Sequence, residues 1–294
     1  MNQLLRHHSH LGYQRMVSQA YANQEISCHS DRFTNPHVLS LRLPSESARF
    51  CLDCVNEDLD FHGASYWRRT HQLPGIDACA KHGSVLLELS SSAMRVVSPS
   101  VMGGATPALH SSELALYLSN PFIQRFMALS DMALQASVPL APAVMAKVLS
   151  QQKRMYDKTR RSIPLSESVR ELAPSFWIAK HFPALFARES GSRAASIDDV
   201  LRSRHVAHAT KSYLLAMAVL WENPDEGMQA CLEEAKRSGN GLNEKGGERA
   251  IWSMLEGQSI QTACKEQGVH LKDFEYALRR MLLGTAAVKS SLQN

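Results

Sequence analysis

The sequence predicts a mainly α-helical protein in which a small module bearing cysteine and histidine is joined to a helical domain and to a C-terminal three-helix unit. Three observations lead to this fold class. Two short ligand-like pairs occur at Cys51–Cys54 and Cys79–His82, most of the chain after residue 110 has apolar residues at helical spacing, and a glycine turn at Gly268 separates two short helical patterns near the end.

Composition indicates a folded chain of moderate size. Of its 294 residues 44% are hydrophobic and 20% are charged, with a net charge of +4, so a packed core is expected rather than disorder. No signal peptide, disulfide framework or membrane-length apolar run is visible, and we expect a cytoplasmic protein of a reducing compartment that does not enter a membrane. The domains expected are a helical N-terminal segment over 1–45, a metal module over 46–90, a helical domain over 91–238 and a C-terminal domain over 241–294.

The first pair is Cys51-Leu52-Asp53-Cys54 and the second is Cys79-Ala80-Lys81-His82. Two residues separate the ligands of each pair, so one short turn can present both of them to a single ion. Three thiolates and one imidazole are ligands that structural Zn²⁺ prefers, and four protein ligands leave no open position. The pattern therefore predicts a structural zinc site made by Cys51, Cys54, Cys79 and His82.

An enzymatic role for such a site requires further residues. A zinc deaminase also contains a Cys-x₂-Cys pair, but it needs a His-x-Glu segment whose glutamate moves protons. No His-x-Glu precedes Cys51, and no cluster of catalytic carboxylates is visible. We therefore do not expect an enzyme.

The elements follow in order along the chain. Residues 4–22 have the spacing of a helix, residues 85–87 resemble a short strand, and residues 90–110, rich in Ser, Pro, Gly and Ala, resemble a linker or irregular loop. A helical region comes next, with Ser196 expected as an N-cap and with breaks expected at Pro174 and Pro183. Its predicted helices cover residues 112–118, 121–137, 141–156, 166–172, 175–186, 196–201, 208–221 and 225–237.

The C-terminal pattern is typical of a helix-turn-helix. Helices are predicted over 248–255, 260–267 and 271–282, with small Cys264 four residues before the turn at Gly268. Ile260, Val269, Phe274 and Leu278 are the expected core, and an ordinary small helical bundle is the alternative interpretation. If the unit binds DNA, the third helix would present His270, Lys272, Tyr276, Arg279 and Arg280 to bases and phosphates.

Two other regions could contact phosphates. Arg68 and Arg69 follow Trp67, which either packs on the metal module or stacks on a base, with packing the more common role for an aromatic beside a metal site. Residues 153–211 carry 12 Lys and Arg against six Asp and Glu, which suits either a phosphate backbone or a solvated helical surface.

The residues around the ligand pairs resemble the TniQ/TnsD family of transposon target-site selection proteins. The resemblance is carried by Phe50 to Cys54, Gly63-Ala64-Ser65-Tyr66-Trp67-Arg68, Gln72-Leu73-Pro74-Gly75 and Cys79 to Gly83, in that order and spacing. A weaker likeness lies at 176–183 and 208–221, where the family places helical DNA-binding elements. The family pattern also implies a longer, Pro-rich segment before Cys51, which this sequence lacks.

The resemblance implies a DNA-binding adaptor that binds double-stranded target DNA, or docks on an RNA-guided CRISPR complex, and recruits a transposon AAA+ ATPase and its transposase. It implies bacterial origin and association with the nucleoid when bound, and a homodimer is compatible with it. A zinc-containing helix-turn-helix transcription regulator is the alternative, and a metal-dependent nucleic-acid enzyme is a third.

Overall fold

The fold is mainly α-helical, as the sequence predicts. The structure is a computed structural model that describes Tyr13, Met16, Val17, Phe274 and residues 47–89, 98–101, 103–136, 140–159, 162–202, 207–238 and 246–269. The helices in these ranges are α1 (Leu52–His62), α2 (Ser111–Ser119), α3 (Pro121–Gln135), α4 (Pro142–Thr159), α5 (Leu165–Leu172), α6 (Ser175–His181), α7 (Pro183–Phe186), α8 (Ala195–Asp198), α9 (Thr210–Leu220), α10 (Pro224–Ser238), α11 (Gly246–Leu255) and α12 (Ile260–Glu266).

A small antiparallel sheet accompanies the metal module. Its strands β1 (Ala48–Phe50), β2 (Leu87–Leu89) and β3 (Thr106–Pro107) lie in the order β1-β2-β3. The predicted strand at 85–87 is displaced toward the C-terminus, because Val85 forms a bridge with Ala78 instead. The segment 90–110, predicted to be a linker or loop, contributes β3, which pairs with β2.

The main hydrophobic core surrounds α9. Every residue of this helix except Lys211 is buried, which matches its apolar sequence on all sides. It packs against α3, α4 and α5. The prediction of a central core helix over 208–221 is confirmed. Helix α9 begins two residues later and ends one residue earlier than predicted. Tyr13, Met16 and Val17 belong to the same core, whereas the rest of the helix predicted over 4–22 lies outside the described residues.

The short helices after α5 show one correct and one wrong prediction. The break at Pro183 is confirmed, since α6 ends at His181 and α7 begins at Pro183. Ser196 is not an N-cap, because α8 begins at Ala195. The buried carboxylate of Asp198 instead accepts a hydrogen bond from the Ala194 N–H at 2.7 Å, so a side chain inside the helix satisfies this terminal donor.

Helices α11 and α12 form a separate hydrophobic cluster. Cys264 and Phe274 are buried in it and Val269 packs against it, but Ile260 is 39% exposed, so its predicted place in the core is wrong. Ile260 is the first residue of α12, where its side chain faces away from α11. Gly268 ends α12 with φ 62°. The predicted third helix, apart from Phe274, lies outside the described residues.

No helix within the described ranges has both the length and the apolar character needed to cross a lipid bilayer.

Candidate metal centre and its junction with the helices

The structure brings the four predicted ligands together. Cys51 directly precedes α1, and Cys54 lies in its first turn. Cys79 and His82 lie in a tight turn that is closed by hydrogen bonds from the Cys79 N–H to the Ser84 carbonyl and from the Gly83 N–H to the Cys79 carbonyl, both 2.8 Å. Gly83 adopts φ 66° at the end of this turn. A helix start and a turn therefore face each other across a single small space.

The separations between ligand atoms suit a tetrahedral ion. The Nδ1 atom of His82 lies 3.4 Å from the sulfurs of Cys51 and Cys54 and 3.6 Å from that of Cys79, and the Cys54 and Cys79 sulfurs are 3.7 Å apart. Tetrahedral zinc would place sulfur and nitrogen about 3.6 Å apart and two sulfurs about 3.8 Å apart. All four atoms lie within 4.8 Å of one another. The residues fit a metal ion, and the donor set is consistent with zinc.

A second layer of residues orients the histidine. The Nε2 atom of His82 donates to Oε1 of Glu57 at 2.9 Å, which leaves Nδ1 directed at the three sulfurs. Glu57 also forms an ion pair with Lys81. A carboxylate on the outer nitrogen of a metal-binding histidine fixes its tautomer and raises its basicity. Glu57 is a functional residue that the sequence analysis missed, although its position one helical turn after Cys54 places it on the same side of α1 as the ligands.

The three thiols differ in acidity. Burial raises the pKa of Cys51 and of Cys54. Burial also acts to raise the pKa of Cys79, but hydrogen bonds from the His71 side chain and from the backbone of His82 and Lys81 outweigh it and lower the pKa to about 5. Of the three thiols, only that of Cys79 therefore has a lowered pKa. His71, buried beside it, was also missed, because nothing in its spacing distinguishes it from a turn residue.

Arg68 is occupied within the fold. Its guanidinium donates to the buried carboxylate of Asp58 at 2.7 Å and lies 5.1 Å from the centre of the Tyr66 ring. Arg69 is partly buried, and burial lowers its pKa while Asp131 acts in the opposite direction. Trp67 packs edge-on against Phe50 with ring centroids 5.8 Å apart, whereas Tyr66 is 52% exposed. Arg68 does not project from a cationic face, since α1 beside it carries Asp53, Glu57, Asp58 and Asp60.

The string Gln72-Leu73-Pro74-Gly75 joins the metal module to the helices. The side chain of Gln72 bonds both backbone groups of Arg49 in β1. The Gly75 carbonyl accepts hydrogen bonds from Tyr117 Oη at 3.0 Å and from Trp177 Nε1 at 2.9 Å. The residues that carry the family resemblance thus have a structural role at this junction.

An ionic cluster around the buried carboxylate of Asp77 reinforces the junction. Lys180 Nζ lies 3.0 Å from Asp77 Oδ1, and His181 Nε2 lies 2.5 Å from Oδ2. Arg49 approaches the same carboxylate at 3.6 Å. Burial raises the pKa of Asp77, but His181, Lys180 and Arg49 outweigh burial and lower it. The segment 176–183, compared above with DNA-binding elements of the family, is thus used in part to hold the metal module.

The other predicted DNA contacts, His270, Lys272, Tyr276, Arg279 and Arg280, lie outside the described residues.

Comparison with protein families gives one match, in which residues 1–86 align with the TniQ family. Comparisons with curated proteins and with solved structures give no match. The matched residues include all four candidate ligands and the junction string. TniQ proteins are non-catalytic DNA-binding adaptors. Residues 1–86 of this chain therefore match the TniQ domain, which is associated with transposon target-site selection.

Proposed function

We propose that this protein is a DNA-binding adaptor that selects the target site of a bacterial transposon and recruits the transposon's AAA+ ATPase and transposase. The observation that carries the proposal is the TniQ match over residues 1–86, within which Cys51, Cys54, Cys79 and His82 converge at metal-binding distances. In this role the protein brings partners to DNA and leaves strand transfer to the transposase. Docking on an RNA-guided CRISPR complex is the alternative route to the target.

The metal in this proposal is Zn²⁺, and its role is structural. Three thiolates and one imidazole complete a tetrahedral shell, so no position remains for a water molecule to be activated. The Glu57 contact to His82 supports metal binding through Nδ1. Binding of the ion would hold the start of α1 against the Cys79–His82 turn.

The DNA-binding surface in this proposal is the C-terminal helix-turn-helix. Support comes from the geometry after α12. The Val269 N–H donates a hydrogen bond to the Cys264 carbonyl at 2.9 Å, and the Gly268 N–H donates one to the Lys265 carbonyl at 3.2 Å. These two bonds end a helix and turn the chain sharply. Phe274 then returns to the α11–α12 core. The predicted third helix over 271–282, which includes Phe274, would carry Lys272, Tyr276, Arg279 and Arg280, with His270 just before it.

Arg68 and Arg69 receive a different role in this proposal. The ion pair with Asp58 and the acidic residues of α1 favour a structural role for Arg68, so we place the principal DNA contacts at the C-terminal unit.

The DNA interface is tested by replacing Arg279 and Arg280 together with alanine. Each phosphate contact contributes about one unit to the slope of log affinity against log salt concentration, so the double variant should lose about two units of slope. Lys236→Ala with Arg237→Ala, exposed on α10 and outside the cationic segment 153–211, is the matched control and should leave the slope unchanged. An equal loss in both double variants would argue against a C-terminal interface.

The targeting role is tested by footprinting on insertion-site DNA together with pull-down of the transposon ATPase by the full chain. The adaptor proposal expects both a footprint and ATPase capture. Specific binding at a promoter without ATPase capture would instead identify the alternative, a zinc-containing helix-turn-helix transcription regulator. Sedimentation of the protein alone would show whether it acts as a homodimer.

A further inference from the structure

Helix α10 packs on the main core and leaves part of a second apolar stripe exposed beside it. Its inner face contributes Cys231 and Ala235 to the core. At Gly227 it approaches the Trp221 ring so closely that an added Cβ would lie 3.1 Å from Cδ2. An outer stripe consists of Met228 and Leu232, which lie one helical turn apart. Met228 is partly buried and also packs against the main core, whereas Leu232 is 37% exposed and does not belong to that core.

The outer stripe forms one wall of a groove. Met132 of α3 adds a third apolar side chain, and the groove has a volume of about 650 Å³. This size lies within the range of about 300–1,000 Å³ that is typical of ligand-binding clefts. We call it the α3–α10 groove, and its residues are Met132, Asp225, Glu226, Met228, Gln229, Ala230, Leu232 and Glu233.

The charged residues of the α3–α10 groove all have the same sign. Asp225, Glu226 and Glu233 line it, and none of its described lining residues is Lys, Arg or His. Arg237 reaches Glu233 only at 3.9 Å, from the neighbouring turn. Three carboxylates beside apolar side chains repel a phosphate backbone and attract a cationic partner.

The apolar lining suits a helical partner. Methionine side chains are flexible and polarisable, and they adapt to apolar side chains of varied shape. An amphipathic helix that inserts into a groove uses apolar anchors spaced by three or four residues. We propose that the α3–α10 groove binds a cationic amphipathic helix of a partner protein, with apolar anchors on Met132, Met228 and Leu232 and with Lys or Arg side chains opposite Asp225, Glu226 and Glu233. This inference is independent of the DNA-targeting role.

The test uses the full chain and a synthetic helix as the probe. The probe is an amphipathic peptide of leucine and lysine, about 18 residues long and therefore about five helical turns. A peptide of the same length in which glutamate replaces lysine is the charge control. Binding is measured by fluorescence anisotropy, and its location by NMR of ¹³C-methyl methionine. Met132 and Met228 report on the groove, while Met254, buried in the separate α11–α12 cluster, serves as the internal reference.

Two substitutions separate the apolar and ionic contributions. Leu232→Ser should weaken binding of the lysine peptide about ten-fold or more, because it removes an anchor contact. Glu226→Gln should weaken it less, with the difference decreasing in high salt. The matched controls are Leu116→Ser on α2, where Leu116 is 58% exposed, and Glu171→Gln on α5, and neither should change the affinity.

The proposal is supported if the lysine peptide shifts the Met132 and Met228 signals and the groove variants alone weaken it. Several results would overturn it: no binding, equal binding of the glutamate peptide, shifts confined to other methionines, or equal weakening by the control variants. Self-association that is abolished by Leu232→Ser would identify a second copy of the chain as the occupant instead. Methionine shifts in the groove caused by a DNA duplex would also refute it.

Discussion

The indole Nε1 of Trp177 donates a hydrogen bond to the carbonyl oxygen of Gly75 at 2.9 Å, joining α6 to the loop that precedes the second ligand pair. The same ring packs edge-on against Phe126 of α3, with centroids 5.4 Å apart. Tyr117 of α2 donates to the same carbonyl. Three helices therefore meet the metal module at a single glycine, and the position of Cys79 depends on them.

Replacement of Gly75 by alanine should strongly destabilise the protein. Gly75 adopts φ 81°, and an added Cβ would lie 2.8 Å from Cε1 of Phe126. The Phe126 ring is fully buried, so neighbouring side chains would have to shift with it. The left-handed conformation costs alanine about 1 kcal/mol, and overpacking adds about 1–3 kcal/mol. Chemical denaturation would measure the loss. Gly191→Ala is the control, because Gly191 has φ 79° with no atom within 4 Å of an added Cβ, and it should show only the smaller, conformational cost.

Glu57→Ala should weaken metal binding without removing a ligand. The substitution deletes the acceptor for His82 Nε2, and loss of such a contact typically lowers metal affinity about 10–100-fold. Competition with a chromophoric chelator would measure the affinity. Asp60→Ala, also exposed on α1, should have no comparable effect, and equal losses in the two variants would assign the change to the charge of the helix rather than to the histidine contact.

Arg68→Ala should reduce stability rather than the salt dependence of DNA binding. It leaves the Asp58 carboxylate, which is 4% exposed, without its ion-pair partner, at a cost of about 1–3 kcal/mol. In a double-mutant cycle with Asp58→Asn the two losses should not be additive, because the carboxylate no longer needs a cation. A lower salt slope for DNA binding, with unchanged stability, would instead make Arg68 a phosphate contact.

The stability of the loop after α7 should decrease in acid. Hydrogen bonds from Ser190 Oγ at 2.6 Å and from the Gly191 N–H at 2.9 Å lower the pKa of Glu167 below its ordinary value of about 4.3. This contribution is fully present above that ordinary value and is lost as the pH falls through the lowered pKa. The Tm difference between wild type and Glu167→Gln should therefore diminish below about pH 4.3. Glu189→Gln, exposed in the same loop, should show no such convergence.

Much of the fold could be predicted from local sequence pattern. Helix α9 has apolar residues on every side, and α6 and α7 are separated by a proline that cannot continue a helix, so both features are encoded by neighbouring residues. The four metal ligands occur as two pairs, each with two residues between its members, and this spacing is typical of zinc sites. Two predictions were wrong or incomplete for different reasons. A neighbouring residue, Asp198, accepts the hydrogen bond of the terminal N–H in place of Ser196. Strand β3 forms by pairing with β2, which a local pattern does not reveal.

The supporting residues of the candidate site could not be predicted in this way. Glu57 and His71 contact His82 and Cys79 only after the helix and the turn have come together. The spacing of Glu57 from Cys54 places it on the ligand side of α1 but does not identify its partner, and the spacing of His71 gives no signal. Lys180 and His181, which contact Asp77, are 103 and 104 residues away from it in sequence. Such contacts depend on tertiary geometry, and a single sequence carries no local sign of them.

The crowded contact at Gly75 has a consequence for experiments on fragments. The segment recognised as TniQ ends at residue 86, yet the Leu86 carbonyl accepts from Ala108, and Leu73 and Gly75 are covered by helices beyond residue 115. A polypeptide cut after residue 86 would lose two of the three strands of its sheet, β2 and β3, and would expose this apolar surface to water. It should aggregate even when saturated with metal. The matched segment therefore lacks several of the elements that cover it in this structure.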